Sequence, residues 1–166
     1  MSATPQTIPD ERTAWAALGE VVDPEIPVLT LVELKVVREV EVTGDAVRVV
    51  LTPTFIGCPA FEMMQRETRA ALERAGFRSV TIEVTYSPPW SSDWLEEPAR
   101  RKLREIGIAP PNPAAPTAQQ ALAQPLTCPH CGSQQTRLDT PFGPTLCRMI
   151  AICDACRQPF EAMKPL

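Results

Sequence analysis

Histidine is almost absent from this 166-residue sequence. His130 is the only one, and it lies between two cysteines near the C-terminus. The first 109 residues therefore hold no Ser/His/Asp or Cys/His set for nucleophilic catalysis. They also lack the histidine that an independent carboxylate–histidine iron oxygenase needs. We expect a protein without a catalytic centre of its own.

Long apolar runs are also missing. No stretch of about 18 apolar residues could form a transmembrane helix, and the N-terminal residues do not have the charge and hydropathy pattern of a signal peptide. The formal net charge is −4, so there is no electrostatic reason to expect nucleic acid or an anionic membrane as partner. These features predict a cytoplasmic protein.

Charge is absent from residues 110–126, which contain five of the 19 prolines. A segment of Pro, Ala and Gln without charged or aromatic residues has little with which to form a core, so it is expected to be a semi-extended tether. The sequence therefore predicts an N-terminal domain over 1–109, a linker over 110–126 and a small C-terminal module over 127–166.

Cysteine is scarce before this linker and abundant after it. Cys58 stands alone in the first part, whereas the C-terminal module has a C-P-H-C and a C-D-A-C motif with 21 residues between them. Two CxxC pairs at about this spacing are typical of a zinc ribbon, in which four thiolates bind one tetrahedral Zn²⁺. Metal binding then supplies folding energy that about 40 residues cannot obtain from a core alone. The predicted ligands are Cys128, Cys131, Cys153 and Cys156.

Alternatives remain open for this module. Cys147 is a fifth thiol that could replace one of the ligands or lie buried beside them, and His130 is either a spacer or a substitute ligand. A disulfide framework is the less favoured interpretation because the cytoplasm keeps thiols reduced. A thioredoxin-type CxxC is less favoured still, because no βαβ pattern surrounds either pair.

The N-terminal domain is predicted to have the element order α-β-β-α-β-α. Hydrophobic periodicity indicates helices at 10–22, 59–75 and about 92–108, and strands at 36–42, 46–53 and 79–86. A strand–helix–strand unit after a hairpin implies one parallel and one antiparallel pairing. The fold class is thus α+β: a small mixed sheet with helices, followed by an all-β zinc ribbon.

Cys58 lies where the second strand of the hairpin leads into the second helix. Proline is favoured at the first helical position, so Pro59 predicts that Cys58 lies at or near the N-cap, where the helix dipole stabilises a thiolate. Thr52 and Thr54 could place hydroxyls in the same pocket. The competing interpretation is a small buried side chain, and the spacing does not decide between them.

The segment DPEIP, residues 23–27, is a rigid loop because it contains two prolines. Asp23 is expected to cap its turn through the side chain, with Glu25 exposed to solvent. The alternative is that both carboxylates lie beside Cys58 as oxygen ligands or a proton acceptor.

Three motifs together resemble a known family. DPEIP, LTPTFIGCPAFEMM (51–64) and YSPPWSSDWL (86–95) are similar to the SufT-like domain of iron–sulfur cluster assembly factors. With the tail segments CPHCGS (128–133) and TLCRMIAICDACRQPFEAMK (145–164), the chain resembles the D-subunit family of bacterial phenylacetyl-CoA epoxidases. One departure is Glu33-Leu34-Lys35, where such domains usually have Asp-Leu-Gly, and it suggests an altered turn.

This resemblance implies an accessory subunit without catalytic residues, which matures or delivers the iron–sulfur or di-iron centre of its partners. It implies Cys58 as the functional thiol with Asp23 and Glu25 beside it, transient iron or a cluster at Cys58, and structural Zn²⁺ in the ribbon. The implied partners are the epoxidase reductase and oxygenase components, the general iron–sulfur assembly machinery and a second copy of the chain. A structural docking subunit and a thiol oxidoreductase stand as alternatives.

Overall fold

The computed structural model describes residues 8–113, 115 and 117–166. Two units form in it. The first consists of the described residues up to Thr52 together with 59–88, and the second of 53–58 together with the described residues from Pro89 onward. The short segment 53–58, which ends at Cys58, thus belongs to the second unit although it interrupts the first in sequence.

The first unit contains a three-stranded mixed sheet. Strands β1 (Val37–Thr43) and β2 (Ala46–Leu51) form an antiparallel hairpin, and β3 (Ser79–Val84) pairs with β2 in parallel. Helices α1 (Glu11–Leu18) and α2 (Phe61–Arg74) complete it. The fully buried core includes side chains from helix, loop and strand: Leu18, Leu31, Leu34, Val49, Leu51 and Leu72. The predicted α+β class and mixed sheet are confirmed.

Both helices of this unit are shorter than predicted. Helix α1 ends at Leu18, because Gly19 caps it, and Val22 lies outside. Helix α2 begins at Phe61 rather than Pro59, with Ala60 as its N-cap residue and no side-chain cap. The delay arises because the chain first makes a tight turn that ends at Cys58. At the other end, Gly76 follows the C-cap with a φ of +100°, as a helix-terminating glycine does.

A run of hydrogen-bonded turns over residues 31–35 precedes β1 and ends at Lys35. Leu34 N–H donates to Thr30 C=O at 3.0 Å, and Val36 N–H donates to Leu31 C=O at 2.9 Å. Lys35 has a φ of +58°, so it takes the left-handed conformation that a glycine would adopt without steric cost. The departure from Asp-Leu-Gly therefore leaves a position that still uses glycine-like backbone geometry.

Replacing Lys35 by glycine is expected to stabilise the first unit. The left-handed conformation costs a residue with a Cβ about 1–2 kcal/mol, and the greater freedom of glycine in the unfolded chain offsets about 0.4–1 kcal/mol of the gain. Urea denaturation should show a net increase of roughly 0.5–1 kcal/mol in the free energy of unfolding. Lys35→Ala is the matched control, since it removes the same side chain but keeps the Cβ. A glycine variant no more stable than the alanine variant would contradict the strain assigned to this residue.

The second unit contains a four-stranded sheet. A 3₁₀ turn (Ser92–Trp94) and helix α3 (Glu97–Glu105) lead into β4 (Ile108–Ala109), and helix α4 (Ala118–Ala123) follows. Strands β5 (Thr136–Thr140), β6 (Arg148–Cys153) and β7 (Pro159–Met163) form an antiparallel meander. The order in the sheet is β4-β7-β6-β5, with β4 parallel to β7.

The structure places the boundary of the second unit earlier than the sequence does. The prediction divided the chain after residue 109, whereas α3 and β4 lie with the ribbon, because β4 hydrogen-bonds to β7. The guanidinium of Arg100 contributes to this arrangement, as it donates to the carbonyl oxygens of Leu95, Ser92 and Pro111 at 2.6–3.0 Å.

The segment 110–126, predicted to be an extended tether, is partly packed within the second unit. Ala121 is buried, and Leu126 packs in a cluster with Cys128, Met149 and Phe160. Composition missed this because two apolar side chains suffice to attach a proline-rich segment to a neighbouring sheet. Residues 114 and 116 of the segment lie outside the described residues.

Candidate metal centre and thiol turn

Four cysteine sulfur atoms meet at one end of the β5–β7 sheet. The Sγ atoms of Cys128, Cys131, Cys153 and Cys156 all lie within 4.8 Å of one another. Cys128 Sγ is 3.8 Å from Cys156 Sγ, and Cys131 Sγ is 3.6 Å from Cys153 Sγ. Four sulfurs bound to Zn²⁺ at about 2.3 Å in a tetrahedron lie about 3.8 Å apart. The donor set and its spacing fit a tetrahedral zinc ion.

Each CxxC pair lies on a turn of the same construction. In the first, Cys128 N–H donates to Ser133 C=O and Gly132 N–H donates to Cys128 C=O, both at 2.9 Å. In the second, Cys153 and Arg157 make the equivalent bonds, at 3.0 Å to Gln158 C=O and 2.8 Å to Cys153 C=O. Gly132 and Arg157 both have positive φ values, +75° and +61°. Two matching turns thus present two sulfurs each.

Without metal the pKa values of Cys153 and Cys131 shift in opposite directions. The pKa of Cys153 is lowered to about 7, chiefly because the backbone N–H of Cys156 points at its sulfur. The backbone N–H of Ser133 lowers the pKa of Cys131, but desolvation and hydrogen bonds with the other three cysteines outweigh it and raise that pKa to about 12. A metal ion must displace these protons, so metal affinity falls as pH falls.

Cys147 and His130 are not members of the four-cysteine cluster among the described residues. Cys147 is buried, and its Sγ is 3.3 Å from Thr145 Oγ1. Within the described residues, it is not part of the cluster that could bind a metal. The His130 ring packs edge-to-face against Phe160, with ring centroids 6.5 Å apart. This contact suits a spacer with a packing role.

Cys58 ends a four-residue turn instead of capping helix α2. Its N–H donates to Phe55 C=O at 3.1 Å, and Gly57 has a φ of +83°, which is the geometry of a type II turn. The thiol is half-buried. Because Ala60 is the N-cap residue, Cys58 lies two residues before the N-cap.

Asp23 shapes the DPEIP loop. Its buried carboxylate accepts hydrogen bonds from the N–H groups of Glu25 and Ile26 at 2.7 and 2.8 Å, and its own N–H donates to Leu29 C=O at 2.9 Å. This is the turn-capping role, and charge-assisted bonds of this kind are strong. Glu25 is half-buried.

Thr52 and Thr54 differ in burial and belong to different units. Thr52 follows β2 in the first unit; its N–H donates to Val36 C=O at 2.9 Å, while its hydroxyl is buried and has no hydrogen-bond partner among the described residues. Thr54 is half-buried in the second unit. A buried hydroxyl without a partner costs free energy, so Thr52 is a candidate for contact with a ligand.

Sequence reasoning missed one group near the turn from Phe55 to Cys58, which we call the thiol turn. The Lys164 Nζ lies 5.6 Å from the centroid of the Phe55 ring and donates to Leu146 C=O at 2.8 Å. More than a hundred residues separate Lys164 from Phe55, and no local pattern connects them. Only the folded second unit reveals the contact.

Two family models match separate parts of the chain. A model described as iron–sulfur cluster assembly protein matches residues 11–84, and one described as PaaD zinc beta ribbon domain matches residues 112–164. A protein of Escherichia coli (strain K12), named as the D subunit of 1,2-phenylacetyl-CoA epoxidase, is 40% identical over 156 residues, which cover 94% of this chain and 93% of the relative. The chain belongs to the family of phenylacetyl-CoA epoxidase D subunits.

More distant relatives match just over half of this chain. A protein of Porphyromonas gingivalis named Fe-S protein maturation auxiliary factor is 35% identical over 88 residues, which cover 52% of this chain and 83% of the relative. A crystal structure of a DUF59 domain from Bacillus anthracis superposes with a TM-score of 0.52 at 26% identity, over 56% of this chain and 90% of that domain. Among the described residues, no helix is long and apolar enough to cross a membrane.

Proposed function

We propose that this chain is an accessory subunit of a phenylacetyl-CoA epoxidase system and delivers iron, or an iron–sulfur cluster, to its partner subunits. The observation that carries the proposal is the union of two matches in one chain: an iron–sulfur cluster assembly model over 11–84, which includes Cys58, and the PaaD ribbon over 112–164. The absence of histidine before residue 130 supports a role in supply rather than in oxygenation.

Cys58 is the cargo-binding thiol of this proposal. A stable [2Fe–2S] centre needs four ligands, and Cys58 is the only cysteine in the first 109 residues. The remaining ligands therefore come from the client or from a second copy, so the cargo is held transiently. Thr54 lies in the same stretch of the second unit as Cys58. Separately, the buried Thr52 hydroxyl of the first unit supports contact with a polar ligand at the end of β2. The Asp23 carboxylate has a structural role: it fixes the DPEIP loop by accepting a hydrogen bond from the backbone N–H of Glu25, which lies on the same turn.

The ribbon has a structural role in this proposal. Its four cysteines would hold Zn²⁺, which supplies folding energy to the second unit and takes no part in iron transfer. That unit includes residues 53–58, so the metal also stabilises the unit to which the thiol turn belongs.

The test is the metal content of the partner components with and without this chain. The reductase, with a plant-type [2Fe–2S] cluster, and the oxygenase, with a di-iron centre, would be purified from cells that make all components or all except this one. We expect iron, and for the reductase acid-labile sulfide, to fall several-fold in one of them when the chain is missing. Full loading of both components in its absence would overturn the proposal and leave a purely structural docking subunit.

A further inference from the structure

An isoleucine occupies the tip of the thiol turn. In the type II turn from Phe55 to Cys58, Ile56 is the second residue, and it is 74% exposed. Turn tips are usually polar or flexible residues. Ile56 is a large apolar side chain, two positions before the thiol. Its exposure to water is unfavourable, and a second surface that covered it would remove this cost.

Three further groups adjoin this tip within the second unit. Lys164 links Phe55 to Leu146 through its contact with the ring and its hydrogen bond to the carbonyl oxygen. Leu146 is itself 45% exposed. We call Phe55, Ile56, Leu146 and Lys164 the thiol-flanking patch.

The patch carries one uncompensated charge. No carboxylate of the described residues forms an ion pair with Lys164, and the bond to Leu146 uses only one of the three protons on Nζ. Residues 53–58 and 141–147, which supply the rest of the patch, contain no charged residue. Lys164 is therefore the one charged residue among the four residues of the patch, and the other three are apolar.

We propose that the thiol-flanking patch is the docking surface for the client protein that takes the iron or cluster from Cys58. The matching client surface is an apolar pocket with a carboxylate at its edge, placed beside the ligands that accept the metal. The inference rests on the proposed function and adds to it where the client binds and what chemistry recognises it.

Geometry argues for the client as the occupant. Direct transfer brings a receiving ligand atom within about 4 Å of the donor sulfur, because both bind one metal at about 2.3 Å. Ile56 belongs to the same four-residue turn as Cys58, so a protein that docks on this turn to reach the sulfur has the exposed Ile56 side chain within its reach. A second copy suits the patch less well, because a two-fold contact would bring two uncompensated lysines together.

The experiment measures binding of the iron-loaded full chain to the metal-free reductase and oxygenase components. Ile56→Asp and Lys164→Glu are expected to weaken binding of the client about tenfold or more, as loss of a central interface contact does. Iron bound by the chain alone should stay at the wild-type level in both variants. Ile8→Asp is the matched control, since Ile8 is 67% exposed in the first unit, and it should bind like the wild type.

The outcomes separate this inference from the function beneath it. If Ile56→Asp binds and loads the client as well as the wild type does, while Cys58→Ser fails to load it, the patch is not the docking surface and the delivery function stands. If neither substitution changes loading, the delivery function fails as well. Wild-type chain that binds neither component overturns the docking surface outright.

Discussion

Stripping the metal from the purified chain is expected to unfold the β5–β7 sheet while the β1–β3 sheet retains its structure. Two of the candidate ligands, Cys128 and Cys153, are part of the second unit's core, where they pack with Leu126, Met149 and Phe160. Structural zinc supplies about 10–16 kcal/mol in zinc-finger peptides at neutral pH, which equals or exceeds the whole stability of a typical domain. Metal removal should therefore unfold the β5–β7 sheet completely, and not merely lower the midpoint of its unfolding transition.

Amide hydrogen exchange resolves the two sheets in the intact chain. After chelation, or in Cys153→Ser, protection of β5, β6 and β7 should disappear and protection of β1, β2 and β3 should largely remain. Cys147→Ser is the control, because its sulfur contacts Thr145 and lies outside the four-sulfur cluster. Retention of ribbon protection after complete metal removal would show that packing alone folds this sheet.

Cys58→Ser is expected to lower the iron content of the client as far as omission of the whole chain does. Serine keeps nearly the same size and can preserve the turn, since the hydrogen bond to Phe55 comes from the backbone N–H. Its hydroxyl is a poor iron ligand at neutral pH because it stays protonated, whereas a thiol readily forms the metal-binding thiolate. The substitution therefore removes the ligand and leaves the fold.

The matched variant is Cys147→Ser, which changes a buried thiol of the same unit. Client iron, measured in cells that express each variant at equal level, should be normal with Cys147→Ser and low with Cys58→Ser. Equal loading by both variants would remove Cys58 from the mechanism.

The ribbon was the most predictable part of the molecule. Metal-ligand spacing is a local property, so two CxxC pairs predict a meeting of four sulfurs, and the structure brings those four together. The mixed sheet was also predictable, because strand alternation and the parallel crossover after a hairpin restrict the topology to very few arrangements.

Other features depend on long-range packing that no local pattern reports. Burial of Leu126, the pairing of β4 with β7 and the contact of Lys164 with Phe55 all join residues distant in sequence. The start of α2 was predicted two residues early, because the type II turn at Gly57 competes with the helix for Cys58 and Pro59. Lys35 is also unexpected from the sequence, because lysine disfavours a left-handed φ and yet adopts one at the end of a run of hydrogen-bonded turns.

The most direct test of iron delivery follows labelled iron from the chain to a purified metal-free client. The chain is loaded anaerobically with isotopically labelled ferrous iron, then mixed with the client in the presence of excess bathophenanthroline, which captures any iron released to solution. With the wild-type chain, iron is expected to reach the client despite the chelator. With Cys58→Ser, iron is expected to reach the chelator or never to be bound. Capture of all wild-type iron by the chelator, or equal transfer by Cys58→Ser, would contradict it.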